Sequence, residues 1–201
     1  MTPFLELMGF GPRGWGLAML MAALMTVAVS GAGFLFGSFC GALVAWAKIS
    51  GGRAMRIVAD AYTTVLRGVP DLLVIYLFYF GGSSLVGAIG RAWFGAEGFV
   101  GMPAFLVGML AVGICNGAYQ AEVFRGGYLA VPKGEIEAGR AFGMGRAKLF
   151  RRILVPQIAR FALPGLGNCW QLCLKESALI SVTGLAELLR KWGEDPQRTA
   201  H

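Results

Sequence analysis

Apolar runs without a charged residue alternate with short charged segments along this chain. Asp, Glu, Lys and Arg are absent from residues 14–47, 72–90, 98–121, 161–174 and 177–186. The first three runs are long enough to span a bilayer, because a crossing helix needs about 20 residues at about 1.5 Å each. The pattern predicts an all-α integral membrane protein with about four recognisable spans, in a transmembrane domain over residues 14–185.

The first run, residues 14–47, is longer than a single crossing requires. The apolar core of a cleavable signal peptide has roughly 7 to 15 residues, and no small-residue cleavage site follows a core of that length here. We therefore expect a retained helix that tilts or continues into the headgroup region.

Composition supports lipid as the solvent. The 201 residues are 56% hydrophobic and 14% charged, with a mean hydropathy of +0.63, which is outside the range of an ordinary soluble domain. The formal charge is +7, and a basic balance also occurs in proteins that bind nucleic acid. These charges are interleaved with apolar runs and form no recognisable nucleic-acid motif, so we expect no nucleic-acid partner.

The distribution of the basic residues predicts the orientation. They follow the first and third apolar runs: Lys48, Arg53, Arg56, Arg125, Lys133, Arg140, Arg146, Lys148, Arg151, Arg152 and Arg160. Basic residues in short loops stay cytoplasmic during insertion. We therefore expect a multi-pass protein of the bacterial cytoplasmic (inner) membrane with a cytoplasmic loop over residues 125–160. The N-terminal segment 1–13, the loop 81–101 and the polar tail 186–201 are then extracytoplasmic.

Glycines recur at helical spacing in two of the runs. Gly33, Gly37 and Gly41 lie four residues apart in the first run, and Gly113 and Gly117 do so in the third. Small residues at this spacing leave a groove that another helix backbone can approach closely. The alternative is that a Gly-rich membrane protein, with 31 glycines here, shows such spacings by chance.

Motifs for chemistry are absent from the sequence. Residues 9–14 match G-x-G-x-x-G, but no predicted strand precedes them and Pro12 interrupts them, so a dinucleotide site is excluded. The four cysteines include no C-x-x-C pair and the single histidine is terminal, which argues against a metal site. No P-loop is present, so any ATP is bound by another chain and we expect no enzyme activity and no cofactor on this one.

The segment "EIEAGRAFGMGRAKLFRRILVP", residues 135–156, interrupts the apolar pattern. Val131–Pro132 ends the preceding element, acidic residues lie near the expected helix start, and Gly143 lies where a short helix would end. We predict a cytoplasmic helix of about two to three turns. Phe142, flanked by small residues, suits a knob that enters a partner's groove. An amphipathic helix that rests on anionic lipid headgroups is the alternative.

Four stretches carry a resemblance to a known family. Residues 137–139, Gly143 and residues 153–156 are similar to the E-A-A-x3-G-x9-I-x-L-P loop, with Gly139 and Val155 as conservative departures. The stretches "TVLRGVPDLLVIYLFYFG", "AYQAEVFRGGYLAVPKG" and "ALPGLGNCWQLCLKESAL" also match. The chain resembles, from about residue 14 to 189, the polar amino acid (histidine/octopine-type) branch of bacterial ABC importer permeases.

This resemblance implies a type I permease fold in which the short cytoplasmic helix docks into a separate ATPase. Matched residue by residue, the docking element is Glu137, Ala138, Gly139 and Gly143, and the physical argument adds Arg140, Phe142 and Arg146. The implied partners are two ATPase subunits that hold ATP and Mg, a second permease subunit, an extracytoplasmic solute-binding protein and membrane lipid. The implied mechanism is alternating access, and the implied cargo is a polar amino acid or an opine.

Candidate residues for the substrate pathway are polar or charged groups within or at the ends of the expected spans, since an unpaired charge in hydrocarbon costs at least about 2.5 kcal/mol. They are Asn168, Gln171, Lys175, Glu176 and Arg67. Lys175 and Glu176 have an alternative as a structural pair at the outer end of a helix. The segment from Arg67 to Pro70 is expected to unwind the second span and expose backbone groups.

Two features depart from the family pattern. Cys169 stands where family members often have an acidic residue, which weakens the expectation of a cationic amino acid as cargo unless the partner subunit supplies the acid. The resemblance also implies a further final span after residue 189, which the sequence does not contain.

A self-contained carrier or channel that assembles through its glycine faces, without an ATPase, is the competing function, and a purely structural membrane anchor is a third.

Overall fold

The computed structural model describes residues 15–77, 81 and 104–193, and within these ranges the regular structure is helical, with no strand. The helices are α1 Gly16–Ser50, α2 Arg53–Gly68, α3 Asp71–Tyr76, α4 Ala104–Leu129, α5 Lys133–Ala141, α6 Arg146–Leu149, a π-helical turn Phe150–Leu154 and α7 Val155–Gly193. The all-α prediction is confirmed. The predictions for residues 1–13, nearly all of the 81–101 loop and the end of the tail fall outside the described residues.

Helices α1, α4 and α7 form the core, with α4 in the middle. The side chains of Ala111, Val112, Cys115 and Ala118 on α4 are fully buried. The outer face of α1 instead exposes large apolar side chains: Leu17, Met21, Leu24, Leu35, Phe39, Leu43 and Trp46. Residues 19–50 of α1 are long and apolar enough to cross a bilayer, and among the described helices this is the one that meets both criteria. An apolar outer face on such a helix is what lipid contact requires.

The glycines of α1 and α4 pack against each other. A Cβ added to Gly37 would lie 3.0 Å from the carbonyl oxygen of Gly113, and one added to Gly41 would lie 3.0 Å from that of Gly117. The predicted close approach is therefore confirmed, and both glycine rows are used inside one chain. The expectation of the competing model, that these rows join separate subunits, is wrong because the groove is already filled.

The helix break predicted near Arg67 is also present. Helix α2 ends at Gly68, Val69 and Pro70 are extended, and α3 begins at Asp71. Proline disfavours a helical conformation in the residue before it and lacks the N–H that a continuing helix would use. Tyr62 ties α2 to α4, since its hydroxyl donates to the carbonyl oxygen of Ile114 at 2.6 Å.

Candidate coupling element and substrate path

The short helix α5 begins where the sequence predicted. Pro132 is extended and caps α5, whose nine residues make about two and a half turns. Glu135 lies in the first turn, where a carboxylate is stabilised by the free N–H groups of the helix start. The predicted helix of two to three turns is confirmed.

The end of α5 is a Schellman motif. Gly143 has a φ of +71°, the one residue with a positive φ in the described part of the chain. Its N–H donates to the carbonyl oxygen of Arg140 at 2.9 Å, and the N–H of Met144 donates to that of Gly139 at 3.0 Å. These two bonds satisfy carbonyl groups that a helix end leaves open, and the left-handed conformation favours glycine. Gly143 therefore stops the helix, as predicted.

The base of α5 rests on a small apolar cluster. Val131, Leu149 and Leu154 are buried, and Tyr128, Ile136, Met144, Ile153 and Ile158 pack around them. Gly139 faces this cluster, since a Cβ there would lie 2.8 Å from the Cδ1 of Ile153. Gly139, one of the predicted docking residues, thus makes its contacts inside the chain and lets α5 approach the start of the last helix.

The opposite side of α5 is exposed. Phe142 has 87% of its surface accessible. We define the docking surface as the exposed members of the predicted set, namely Glu137, Ala138, Arg140, Phe142, Gly143 and Arg146. A large exposed aromatic ring beside a small residue and two cations is typical of the centre of a protein interface rather than of an isolated surface.

Three of the predicted pathway residues lie on one face of α7. Asn168, Gln171 and Lys175 are three and four residues apart and all are exposed. Glu176 is 4% exposed and lies on the inner face with Cys173 and Ser177. The structure therefore separates Lys175 from Glu176, as expected for adjacent helical residues, which point about 100° apart.

The inner face around Glu176 joins α7 to α1. The hydroxyl groups of Ser30 and Ser177 lie 2.5 Å apart, and Ser30 also donates to the carbonyl oxygen of Thr26 at 2.7 Å. Cys169 and Cys173 are buried free thiols, as predicted. Phe34 and Trp170 add an edge-to-face ring contact with centroids 5.5 Å apart.

Arg67 lies at the helix break, apart from the α7 residues in sequence. Its guanidinium is 5.6 Å from the ring centroid of Tyr119 on α4, which is within the range of a cation–π contact. An open cavity of about 570 Å³ adjoins it, lined by Lys48, Asp60, Thr63, Thr64, Arg67, Gly68, Tyr119, Glu122 and Arg125. The cavity presents both signs of charge, as a zwitterionic ligand would require.

Sequence reasoning missed the ion cluster at one end of this cavity. Lys48 is 8% exposed, and its ammonium donates to Thr63 at 2.6 Å and to Glu122 at 2.5 Å, with Asp60 at 2.9 Å. Arg125 pairs with Glu122 at 3.0 Å. The cluster therefore ties α1, α2 and α4 together. The sequence signal for this pair is the position of Lys48 after one long apolar run and of Glu122 after another.

A buried amide network was missed as well. Asn116 and Gln120 on α4 are fully buried. Gln120 donates to the Oδ1 of Asn116 at 2.7 Å and accepts from Ser38 on α1 at 2.6 Å, while Asn116 donates to the carbonyl oxygen of Cys169 on α7 at 2.9 Å. Satisfied amides fix the relative register of the helices, because leaving one unpaired in an apolar interior costs about 1–3 kcal/mol. The signal was available as two amides within the third apolar run.

A family model described as binding-protein-dependent transport system inner membrane component matches residues 33–192. The chain belongs to this family. It is 61% identical over 94% of its length to the octopine transport system permease protein OccQ of Rhizobium meliloti, covering 79% of that protein. It is 48% identical to the nopaline transport system permease protein NocQ of Agrobacterium fabrum, over 92% of this chain and 79% of that one.

A third relative is less similar in sequence but aligns with a similar share of this chain. The histidine/lysine/arginine/ornithine transport system permease protein HisQ of Escherichia coli is 37% identical over 88% of this chain and 77% of its own. A crystal structure of an amino acid ABC transporter with histidines matches with a TM-score of 0.67 and 33% identity, covering 93% of this chain and 81% of that one. The predicted type I permease fold and the resemblance to polar amino acid ABC permeases are confirmed, and the chain is an inner membrane component.

Proposed function

We propose that the chain is a permease subunit of an ABC importer that carries an opine, or a related polar amino acid, across the inner membrane. The observation that supports this most is the α5 element, a short helix with a buried base and an exposed Phe142 tip in a chain of the binding-protein-dependent transport family. The opine cargo rests on similarity to the octopine and nopaline permeases.

The proposed complex contains two ATPase subunits, a second permease subunit and an extracytoplasmic solute-binding protein. ATP and Mg are held by the ATPase subunits, and this chain performs no covalent chemistry. The docking surface enters a groove on one ATPase subunit, so that ATP-driven closure moves α5. Because α5 is packed on Leu149 and Leu154, its movement is passed to the start of the last helix.

The proposed topology places α5 in the cytoplasm and the N-terminus outside. Basic residues on both sides of α5 support this orientation. A reporter cysteine at Ala96 should react with an impermeant thiol reagent in intact cells, whereas one at Gly134 should not. Labelling at Gly134 from outside would reverse the orientation.

The proposed pathway runs along the exposed side of α7 and past the helix break at Arg67. Asn168, Gln171 and Lys175 offer hydrogen bonds to a passing amino acid, and Arg67 offers a charge-assisted bond to a carboxylate. Arg67→Gln removes this bond and should raise the half-saturation concentration for uptake about tenfold. Arg53→Gln, also exposed at one end of α2 but away from the cavity lining, is the control.

Glu176 is proposed to contribute from behind this face, through the inner packing between α7 and α1. If it reaches the pathway, Glu176→Gln weakens the apparent affinity. If it serves assembly only, the variant lowers the yield of assembled complex and leaves the half-saturation concentration of that complex unchanged. Uptake rates normalised to assembled complex separate these results, and the second would remove Glu176 from the pathway.

The deciding experiment isolates the complex from its native membrane, identifies its subunits and reconstitutes it with the binding protein in liposomes. ATP-dependent uptake of labelled octopine, with histidine as the comparison, is expected. Gly143→Asp should abolish uptake while leaving membrane insertion nearly intact, because it places a side chain and a charge at the docking surface. Gly134→Asp is the control for the added side chain and charge, since its glycine is exposed, with open space where a Cβ would lie, near the start of α5. Gly143→Asn is the control for the positive φ of Gly143, because asparagine keeps the position uncharged and tolerates this conformation. Uptake without any ATPase subunit would instead favour a self-contained carrier.

A further inference from the structure

Helix α6 and the π-helical turn, which precede the last helix, carry a basic groove. An open cavity of about 570 Å³ is lined by Ala147, Lys148, Arg151 and Arg152, which we call the basic groove. All four side chains are exposed. Within the described residues, none of the three cations forms an ion pair, whereas Lys48 and Arg125 do. The groove therefore presents concentrated positive charge to whatever lies beside it.

This groove is distinct from the docking surface. The inner sides of the same turns, at Leu149 and Leu154, are buried under α5, so the helix is held with its cations pointing away from the apolar cluster. The π-helical turn Phe150–Leu154 lies within this segment. Lys148 precedes this turn and Arg151 and Arg152 belong to it, and all three line the same cavity.

The face that carries the groove becomes apolar farther along the helix. Residues 148, 151, 155, 159 and 163 follow one another at steps of three or four, so they lie along one stripe. Val155, Ala159 and Leu163 are exposed on it, and the exposed Arg160 beside Ala159 is the last cation before the run without charged residues at 161–174. The distance from Arg151 to Leu163 along the helix is about 18 Å, enough to run from the headgroup layer into the hydrocarbon core.

We propose that the basic groove binds the headgroup phosphate of an anionic phospholipid whose acyl chains lie along Val155, Ala159 and Leu163. A cationic end followed by an exposed apolar stripe on one continuous helix matches both halves of such a lipid. An acidic protein surface would satisfy the cations but would not account for the exposed apolar residues that continue the same stripe. The bound lipid holds the base of α5 at the membrane surface.

The inference rests on the proposed function in one respect: the proposed topology decides which leaflet of the membrane holds the lipid. Lipid binding is measured without transport, so a failure of the transport proposal and a failure of this one are distinguishable. If uptake is absent but the groove retains lipid, the inference stands and the proposed function does not.

The test titrates the purified intact complex with phosphatidylglycerol and counts bound lipids by native mass spectrometry, with phosphatidylcholine as the neutral headgroup. The double variant Lys148→Gln/Arg151→Gln should weaken phosphatidylglycerol binding about thirtyfold, since each basic residue near an anionic surface contributes about a fivefold factor. Arg53→Gln/Lys133→Gln removes one arginine and one lysine that are also exposed, and should leave binding unchanged.

A second variant keeps the test valid if neutralisation disturbs assembly. Lys148→Arg/Arg151→Lys preserves the charge and should retain the lipid. Equal losses in the groove and control variants would show that net charge alone acts, and would overturn the site. Loss of an ATPase subunit at unchanged lipid binding would assign the groove to a protein contact, and unchanged phosphatidylglycerol binding in the neutralised variant would also overturn the proposal.

Discussion

The α1–α4 contact and the α5 element both depend on glycine, but for different physical reasons. At Gly37 and Gly41 the backbone conformation is ordinary, and the missing side chain lets two helices approach until backbone atoms touch. At Gly143 there is open space where a Cβ would lie, and the positive φ is what selects glycine. One region uses glycine for proximity and the other for conformation.

Because glycine has different roles in the two regions, the regions should tolerate different substitutions. The α1–α4 contact is buried on both sides and is supported by buried amides, so any added atom meets the interior. The α5 element is buried only at its base, and its tip is free to change without unfolding the chain. Substitutions should therefore affect folding in the first region and coupling in the second.

The largest effect on stability is expected at Gly41. Gly41→Val places a branched side chain against the carbonyl oxygen of Gly117 and the amide of Ala121, both backbone groups 3.0 Å from the added Cβ. Backbone atoms cannot rotate away, so the variant should lose about 3 kcal/mol or most of its assembled protein. Thermal unfolding in detergent measures the loss. Gly31→Val on the same helix is the control, because a Cβ there meets nothing within 4 Å, and equal losses in the two variants would contradict the proximity argument.

Lys48→Met should have the next largest effect. It leaves Glu122, bonded at 2.5 Å, without its ammonium donor, and we expect a loss of about 2–3 kcal/mol. The loss is smaller than for a fully enclosed pair because Asp60 reaches solvent. The variant Lys48→Met/Glu122→Gln should recover part of this loss, since a neutral amide is cheaper to leave in place than a carboxylate. Strict additivity of the two substitutions in unfolding measurements would show that the cluster is not coupled.

Gly143→Val should cost about 1–2 kcal/mol, because a branched residue is strained at a φ of +71°. Gly143→Asn tests the cause at the same position, since asparagine adopts this conformation more readily. The asparagine variant should unfold closer to the parent temperature. Similar losses for both would mean that conformation does not select glycine here.

Phe142→Ala should have the smallest effect on stability, within about 0.5 kcal/mol, because the ring is 87% exposed. Its effect on assembly should be large, since aromatic residues at interface centres often contribute about 2 kcal/mol or more. Retention of the ATPase subunit during purification measures this. Phe39→Ala, an exposed phenylalanine on α1, should retain the subunit, and loss of the subunit from that control instead would exclude the proposed docking role.

Local features were predicted from the sequence, because short-range chemistry determines them. Pro70 breaks the helix through its own ring, and Gly143 ends α5 through its own backbone freedom. The glycine rows also predicted a close contact between helices, since their spacing places them on one helix face. Each of these predictions needed only residues within a few turns of one another.

The polar contacts between helices could not be predicted in the same way. Lys48 and Glu122 are 74 positions apart, and Asn116 and Cys169 are 53 apart, so their pairing depends on how α1, α4 and α7 pack. For the docking and pathway residues, prediction from the sequence has a further limit. Their positions on exposed faces follow from helical periodicity, but which face meets a partner depends on atoms of other subunits. Position 139 illustrates this, since the family motif includes the position and the chain itself covers Gly139.

The last helix is long and has a proline within it, so it can bend at one defined position. From Val155 to Gly193 its 39 residues extend about 58 Å, and Pro164 lies inside it. Proline removes one backbone hydrogen bond and crowds the preceding turn, so bending concentrates there. A bend of a few degrees at Pro164 would move the C-terminal end of the helix by several ångströms, while the shorter N-terminal part stays packed against α5. In the proposed topology, a small displacement of α5 would therefore become a larger one at the far end of the last helix.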